Sequence, residues 1–417
     1  MSKLWRAPAM IDVVEEHFDE LDWMSEHREA NLFTPDWTLA HLAYHEERME
    51  AHLDGLRIAN EVGLDLAREH LPADEPSAAT AAALVLMAGG RTDDVDLVLR
   101  EFAEGDEPVV DGIRIALRYH GTDGVVDRLR EIAAGDSELA AVAACDVLAF
   151  QREASFAAAR FLSSEEELVR RLGLGALGRT GQLTREQLAT SLDDAEENVR
   201  RTALYEAARA GVDGLADLCR ARALRATDPD PACVRFLGTL GAPEDVERII
   251  ATLERSEVAA SAVAALGAAG RVEAVPLLLE LFEDETLGPD AVRAYCRITG
   301  ADDVEGHLPI PRRPVEEGED EREALPPDPE KARRDWEQRR DAMDPSVAWQ
   351  SGEAVPSGAL SSGLDRLPLE SRADVVMRVR ASAGGSVPDV ELEAFARKQV
   401  LRLTARPEGA PRPRPRH

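Results

Sequence analysis

The amino-acid sequence predicts an all-α chain organised as an α-solenoid, and three observations predict it. Glycine recurs at positions 90, 121, 181, 211, 241, 270 and 300, at spacings of 31, 60, 30, 30, 29 and 30 residues, with Gln151 in register where one glycine is missing. Each mark closes an apolar stretch and precedes a second amphipathic one, with no alternating strand pattern between them. Aromatic residues make up only 4% of the 417, as in helical stacks rich in Ala and Leu.

The first stretch of each unit carries two columns. Four residues before the marks stand Leu86, Leu117, Val147, Leu177, Ala207, Leu237, Leu266 and Cys296, and eight before stand Ala82, Ile113, Ala143, Gly173, Ala203, Cys233, Ala262 and Val292. Positions four apart share a helix face, so these columns form one buried stripe, and the small residues in the second let neighbouring helices approach. Glycine at the mark suits a helix C-terminus in the left-handed conformation, where a Cβ is penalised. The second stretch has columns of its own. Val95, Val126, Phe156, Val246 and Val275 stand five after the mark, and Val98, Leu129, Ala159, Cys219, Ile249 and Leu278 eight after. Two helices in each period of roughly 30 residues make one solenoid unit, and such units bury their apolar faces only by stacking. The repeats run over 75–304, in about eight units.

Outside the period, residues 1–74 read as a helical N-terminal cap, with amphipathic helices over Ile11–Met24 and Trp37–Arg68 separated by Pro35. Residues 305–330 are rich in Pro and acid, six of the eight residues 316–323 being Asp or Glu, and read as a linker. Residues 331–405 resume a helical pattern, over Pro329–Met343 and Leu364–Leu403, and 406–417 form a basic tail.

The segments "VRRLGLGALGRTG", "VRRTALYEAARAG" and "AASAVAALGAAGRVEAVPLLLELFEDE" resemble HEAT-type repeats in the short bacterial form named after phycobilisome lyases. That resemblance covers about residues 75–304 and implies a right-handed α-solenoid of HEAT-like helix pairs; it is nearly silent on activity, since such repeats serve lyases, adaptors and scaffolds alike. The flanking "EERMEAHLDGLRIA" and "DWEQRRDAM…WQSGE" are similar to an uncharacterised bacterial HEAT-repeat family found in proteobacteria, myxobacteria included. Some members of that family lie in gene neighbourhoods with type VI secretion spike and PAAR proteins, so this second resemblance implies an accessory or adaptor role. It brings no catalytic residues to carry over.

Charge narrows the partners. With 49 Lys+Arg against 80 Asp+Glu the formal charge is −31, which speaks against a nucleic-acid partner and against an anionic membrane surface. Residues 1–12 contain no apolar core of a secretory signal, and the longest uncharged stretch, Pro76–Gly90, is shorter than the roughly 20 residues of a membrane-spanning helix. Cys145, Cys219, Cys233 and Cys296 are scattered without a CxxC pair. A cytoplasmic protein with reduced thiols is the expectation.

Catalytic signatures are not found: there is no GxSxG, P-loop or GxGxxG, and the "GLGALG" of 173–178 falls on the buried stripe. His41, His45 and His52 are the best metal candidates, because on one helix they fall within about 40° of each other. Leu42, Met49, Leu53 and Leu56 share nearly that face, so the plainer reading has the histidines flanking a packed seam. Neither metal nor cofactor is expected. The acidic residues do show order. Turns after the second helices carry Glu104/Asp106, Asp136, Glu165–Glu166–Glu167, Asp193/Asp194, Asp228/Asp230, Glu254/Glu257 and Glu283–Asp284–Glu285. Asp93/Asp94, Asp123, Asp213, Glu244/Asp245 and Glu273 open the second helices. Helix capping explains one acid per turn. Runs such as Glu165–Glu167 and Glu283–Glu285 exceed it, and with Asp193, Asp194, Glu254 and Glu257 they form the candidate surface for a basic protein partner, the tail arginines Arg406, Arg412, Arg414 and Arg416 being a rival occupant. The expected function is therefore a non-enzymatic protein-binding scaffold or adaptor. The alternative is an enzyme-like module of the bilin-lyase or HEAT-type DNA-glycosylase kind, the latter needing a basic, aromatic groove.

Overall fold

A computed structural model describes residues 8–153, 158–225, 228–301, 304, 328–355, 364–383 and 391–399. The tail 406–417, Phe156 and all of the acidic linker except 328–330 lie outside the described residues. Two compact units divide the chain. The first (Met1–Ala210, Pro368–Glu370 and Pro388–His417) holds α1 (Pro8–Asn31), α2 (Leu39–Ala59), α3 (Glu61–His70), α4 (Pro76–Gly89), α5 (Thr92–Glu104), α6 (Glu107–His120), α7 (Val126–Ala133), α8 (Glu138–Phe150), α9 (Glu167–Arg179), α10 (Arg185–Ser191) and α11 (Glu197–Ala210). The second (Gly211–Leu367 and Ser371–Val387) holds α12 (Leu215–Ala223), α13 (Pro231–Leu240), α14 (Val246–Ala251), α15 (Ala259–Ala269), α16 (Val275–Leu281), α17 (Gly288–Thr299) and α18 (Pro329–Arg339), strands β1 (Ala348–Gln350) and β2 (Glu353–Val355), and α19 (Leu369–Ala383) from Ser371 onward. The fold is all-α.

In the first unit the first helices of successive repeats pack in series, α4 on α6, α6 on α8, α8 on α9 and α9 on α11, while α1, α2 and α3 pack around α4. In the second unit α13 packs on α15 and α15 on α17. Both first-helix columns are buried, apart from Cys296, which is half-buried. All seven glycine marks have positive φ, between 65° and 100°. Close helix approaches fall three residues before the mark at Gly238 and Gly267, and at Gly112 of α6 against Pro76. A Cβ on Gly238 would overlap the Ala265 backbone, and one on Gly267 would meet the Ala294 Cα at 2.9 Å.

Four expectations need correction. The helix expected over Trp37–Arg68 breaks at Asn60, whose φ of 50° separates α2 from α3. Where glycine gives way to Gln151, the left-handed residue shifts to Arg152 (φ 65°), and the second helix of that unit shrinks to a 3-10 turn, Ala158–Ser163. There Ala158 and Phe161 are buried and Ala159 is exposed, so the column slips. In the second helices of the first two repeats the seam lies one residue early: Asp94 and Val125 are buried, Val95 and Val126 only half-buried. Finally, the region 331–405 is not purely helical. β1 and β2 form an antiparallel hairpin with Ala348 opposite Val355, and the linking residues Ser351 (φ 50°) and Gly352 (φ 75°) supply the two positive φ angles of a two-residue hairpin turn.

Candidate functional site

The three candidate histidines are held by three different partners. His41 Nδ1 accepts the Thr38 N–H at 3.2 Å in a reciprocal cap of α2. His45 is buried and its Nε2 donates to the Met24 carbonyl at 2.8 Å. His52 Nδ1 lies 3.1 Å from His17 Nδ1 on α1. Burial lowers the pKa of His45, with the neighbouring His27 adding to the effect, and burial next to His17 lowers that of His52. Among the described residues no group of three or more His, Cys, Asp or Glu side chains is arranged to hold a metal ion.

The acidic turns divide between local duties and solvent. In the first unit Arg170 of α9 donates to the carbonyls of Ser164 and Glu165, both at 2.9 Å, and also grips the Asp194 carboxylate at 2.7 and 2.9 Å. Thirty residues on, Arg200 repeats the first of these roles on the carbonyls of Asp194 and Ala195. Arg170 therefore ties two successive turns side by side. Glu165, Glu166 and Asp193 are exposed and Glu167 half-buried. In the second unit the Asp284 carboxylate accepts the N–H groups of Thr286 and Leu287 at 2.9 and 2.8 Å, backbone bonds that hold it below the usual carboxylate range. Glu257 pairs with Arg255 at 3.1 Å. Glu254, Glu283 and Glu285 face solvent. Capping thus absorbs Asp230 and Asp284, salt bridges absorb Asp194 and Glu257, and Glu165, Glu166, Asp193, Glu254, Glu283 and Glu285 are exposed.

Sequence reasoning missed a second charged feature, a buried arginine row in the first unit. Asp146 stands among Ala, Val and Cys in α8, and three guanidiniums converge on it: Arg114 at 3.0 Å, Arg118 at 2.9 Å and Arg179 at 2.6 Å. Burial pushes the Asp146 carboxyl up, but Arg118, Arg179 and Arg114 outweigh it and hold the group below its ordinary value. The segment 391–399 docks on this row. Glu393 bridges Arg118 at 2.5 Å and Arg179 at 3.0 Å, and Glu391 bridges Arg179 at 3.2 Å and Arg209 at 2.7 Å. Burial again opposes ionisation of Glu393, and Arg118, Arg179 and Arg209 hold it well below the usual range. Arg28 of α1, fully buried, binds Glu46 at 2.8 Å, contacts Glu29 and Tyr119, and donates to the Glu393 carbonyl at 3.0 Å. The other Glu46 oxygen accepts the Ala396 N–H at 2.7 Å. Phe395 stacks on Tyr119 with ring centres 4.9 Å apart.

The second unit docks its own C-terminal elements on the ends of its first helices. Arg378 donates to the carbonyls of Thr239 and Ala268, at the ends of α13 and α15, and Gln350 donates to Gly267 and Ala268. These are carbonyls that a helix terminus leaves without an intrahelical donor. Asp374 accepts from Thr239 at 2.6 Å and from Arg297 at 2.5 Å. Burial pushes its carboxyl up, and Arg235 and Arg297 pull it far below the usual range. Burial lowers Arg378 to about 10, Asp374 opposing and Arg297 and Arg271 adding to the drop.

Two sequence signals mark the row. One is the lone Asp in the apolar run "ELAAVAACDVLAF"; the other is Arg179 and Arg209, each two residues before a glycine mark. An open cleft of about 590 Å³ elsewhere in the first unit is lined by Asp19, Asp22, Trp23, Glu26, Glu69 and His70 among others. No family model matches the chain, and no curated protein is similar to it.

Proposed function

We propose that the protein is a non-enzymatic scaffold or adaptor of the HEAT-like solenoid kind, and that its exposed acidic turns steer a basic protein surface onto the repeats. The observation that carries this reading is the Arg170 bridge. It sets the turn at 164–165 beside the turn at Asp194, so that Glu165, Glu166 and Asp193 present negative charge from neighbouring repeats. At physiological salt the screening length is about 8 Å, and neighbouring helices stand about 10 Å apart, so adjacent turns still repel; recruiting a cationic partner offsets that cost. Complementary charge of this sort acts chiefly on association rate. The likeness of the flanks to a family encoded beside secretion spike and PAAR proteins narrows the partner to a component of such a system.

The test is affinity capture from the source organism with the wild-type chain and with the Glu165→Gln/Glu166→Gln/Glu283→Gln/Glu285→Gln variant, at low and high salt. A partner retained by the wild type, released by salt and lost by the variant supports the reading. Identical captured sets, with thermal stability equal or higher in the variant, overturn it.

A further inference from the structure

The acidic turns leave the buried arginine row unexplained. Among the described residues, the repeats of the first unit bring Arg114, Arg118, Arg179 and Arg209 together with Asp111, Asp146 and Glu206 as carboxylate partners. Glu391 and Glu393 supply the rest. Four guanidiniums against three carboxylates leave the buried repeat surface with one positive charge in excess, and Glu391 and Glu393 dock on the N–H groups that Arg118, Arg179 and Arg209 still offer.

The occupant has the form of a peptide ligand. The Ala394 N–H closes a turn onto the Glu391 carbonyl at 3.1 Å, and this turn carries both carboxylates to the row. Two residues beyond Glu393, Phe395 lies against Tyr119, and the Arg28 guanidinium sits 4.3 Å from the Tyr119 ring centre and 5.2 Å from that of Phe395. The Glu46 carboxylate fixes register by accepting the Ala396 N–H. Much of the contact is therefore ion pairing between desolvated groups. The Coulombic gain of such pairs is largely offset by desolvation, so a segment held in this way is open to competition by mass action.

We infer that Arg28, Glu46, Arg118, Tyr119, Arg179 and Arg209 form a peptide-binding groove for a Glu-x-Glu-x-Phe turn, which the segment 391–399 occupies in cis and an acidic-aromatic turn of a partner protein displaces. This groove is separate from the acidic turns and takes a ligand of the opposite charge.

The probe is a fluorescein-labelled peptide with the chain's own sequence over 388–400, and the receptor is the full chain. Against an internal competitor tethered at millimolar effective concentration, the wild type should bind the probe at least about 10-fold more weakly than Glu391→Gln/Glu393→Gln/Phe395→Ala, whose own segment no longer competes. Adding Arg179→Gln to that variant should abolish binding, as should replacing both glutamates of the probe by glutamine. On the wild-type chain, excess unlabelled peptide should speed amide exchange at 391–399. The inference is overturned if the variant unfolds cooperatively yet ignores the probe, or if it loses cooperative unfolding, which would make the segment part of the core. Amide exchange at 391–399 that is indifferent to the peptide overturns it as well.

Discussion

Asp146 shows how much one side chain holds in place. Its carboxylate lies in an apolar helix and is tolerable there only because Arg114, Arg118 and Arg179 surround it. Removing its charge would take from three buried guanidiniums the carboxylate they share, and breaking a buried ionic cluster costs about 3–5 kcal/mol. Asp146→Asn is therefore expected to lower the unfolding free energy, read from urea titration, by about 3–5 kcal/mol. Exposed Glu165→Gln should stay within about 0.5 kcal/mol of wild type. A loss under about 1 kcal/mol for Asp146→Asn would mean that Asp111, Glu391 and Glu393 together satisfy the arginines. At the same scale, the histidine candidates separate once their partners are seen: sharing a helix face placed His41, His45 and His52 together in angle, but a Thr cap, a Met carbonyl and a facing His take one each.

For the helices, the governing features are the buried column and the mark that ends it. Leu237 and Leu266 are essentially without solvent contact. Truncating either to Ala should cost about 2–5 kcal/mol, measured by denaturant unfolding. The marks are not equivalent. A Cβ on Gly90 meets nothing within 4 Å, so Gly90→Ala should cost only the left-handed backbone strain, about 1–2 kcal/mol. At Gly270 the same Cβ would overlap the Trp349 carbonyl and meet Gln350 at 2.8 Å, because the β1–β2 hairpin docks there. Gly270→Ala should therefore cost clearly more than Gly90→Ala. Equal losses at the two marks would show that the hairpin yields without cost.

Across the whole molecule, a net charge of −31 coexists with buried cations that need carboxylates, and acid should act on both. The folded pKa values of His45 and His52 lie below the ordinary 6.5, so the unfolded chain takes up protons first. Their contribution to stability is present above 6.5 and is lost as pH falls through the lowered folded values. Relief of overall repulsion works the other way, so the difference between wild type and His45→Gln isolates the effect: the variant should lose less stability between about pH 6.5 and pH 5. Parallel curves would remove His45 from the account. Further down, Asp146, Glu393 and Asp374 have folded values below the ordinary 3.8 to 4.5, and the stability they confer is lost as pH falls beneath that range. Glu46 and Glu206 run in the opposite sense, because burial raises them.

The helices, their pairing into units and the glycine that ends each first helix were legible in the chain because each is encoded within one period of residues. A face repeats every three to four positions, and a left-handed terminus penalises any Cβ. The same locality explains the errors, since at Arg152 and Asn60 a single non-glycine residue took a positive φ and moved an element boundary. The acidic turns were visible for the same reason, although which of their acids cap, pair or face solvent depended on arginines such as Arg170. The arginine row was decided by tertiary structure alone. Glu391 meets Arg209 and Arg179 from 182 and 212 residues away, and no periodicity along the chain carries a pairing of that range. In so acidic a sequence the carboxylates that matter are indistinguishable from the rest until packing removes them from water, where an ion needs its counter-ion.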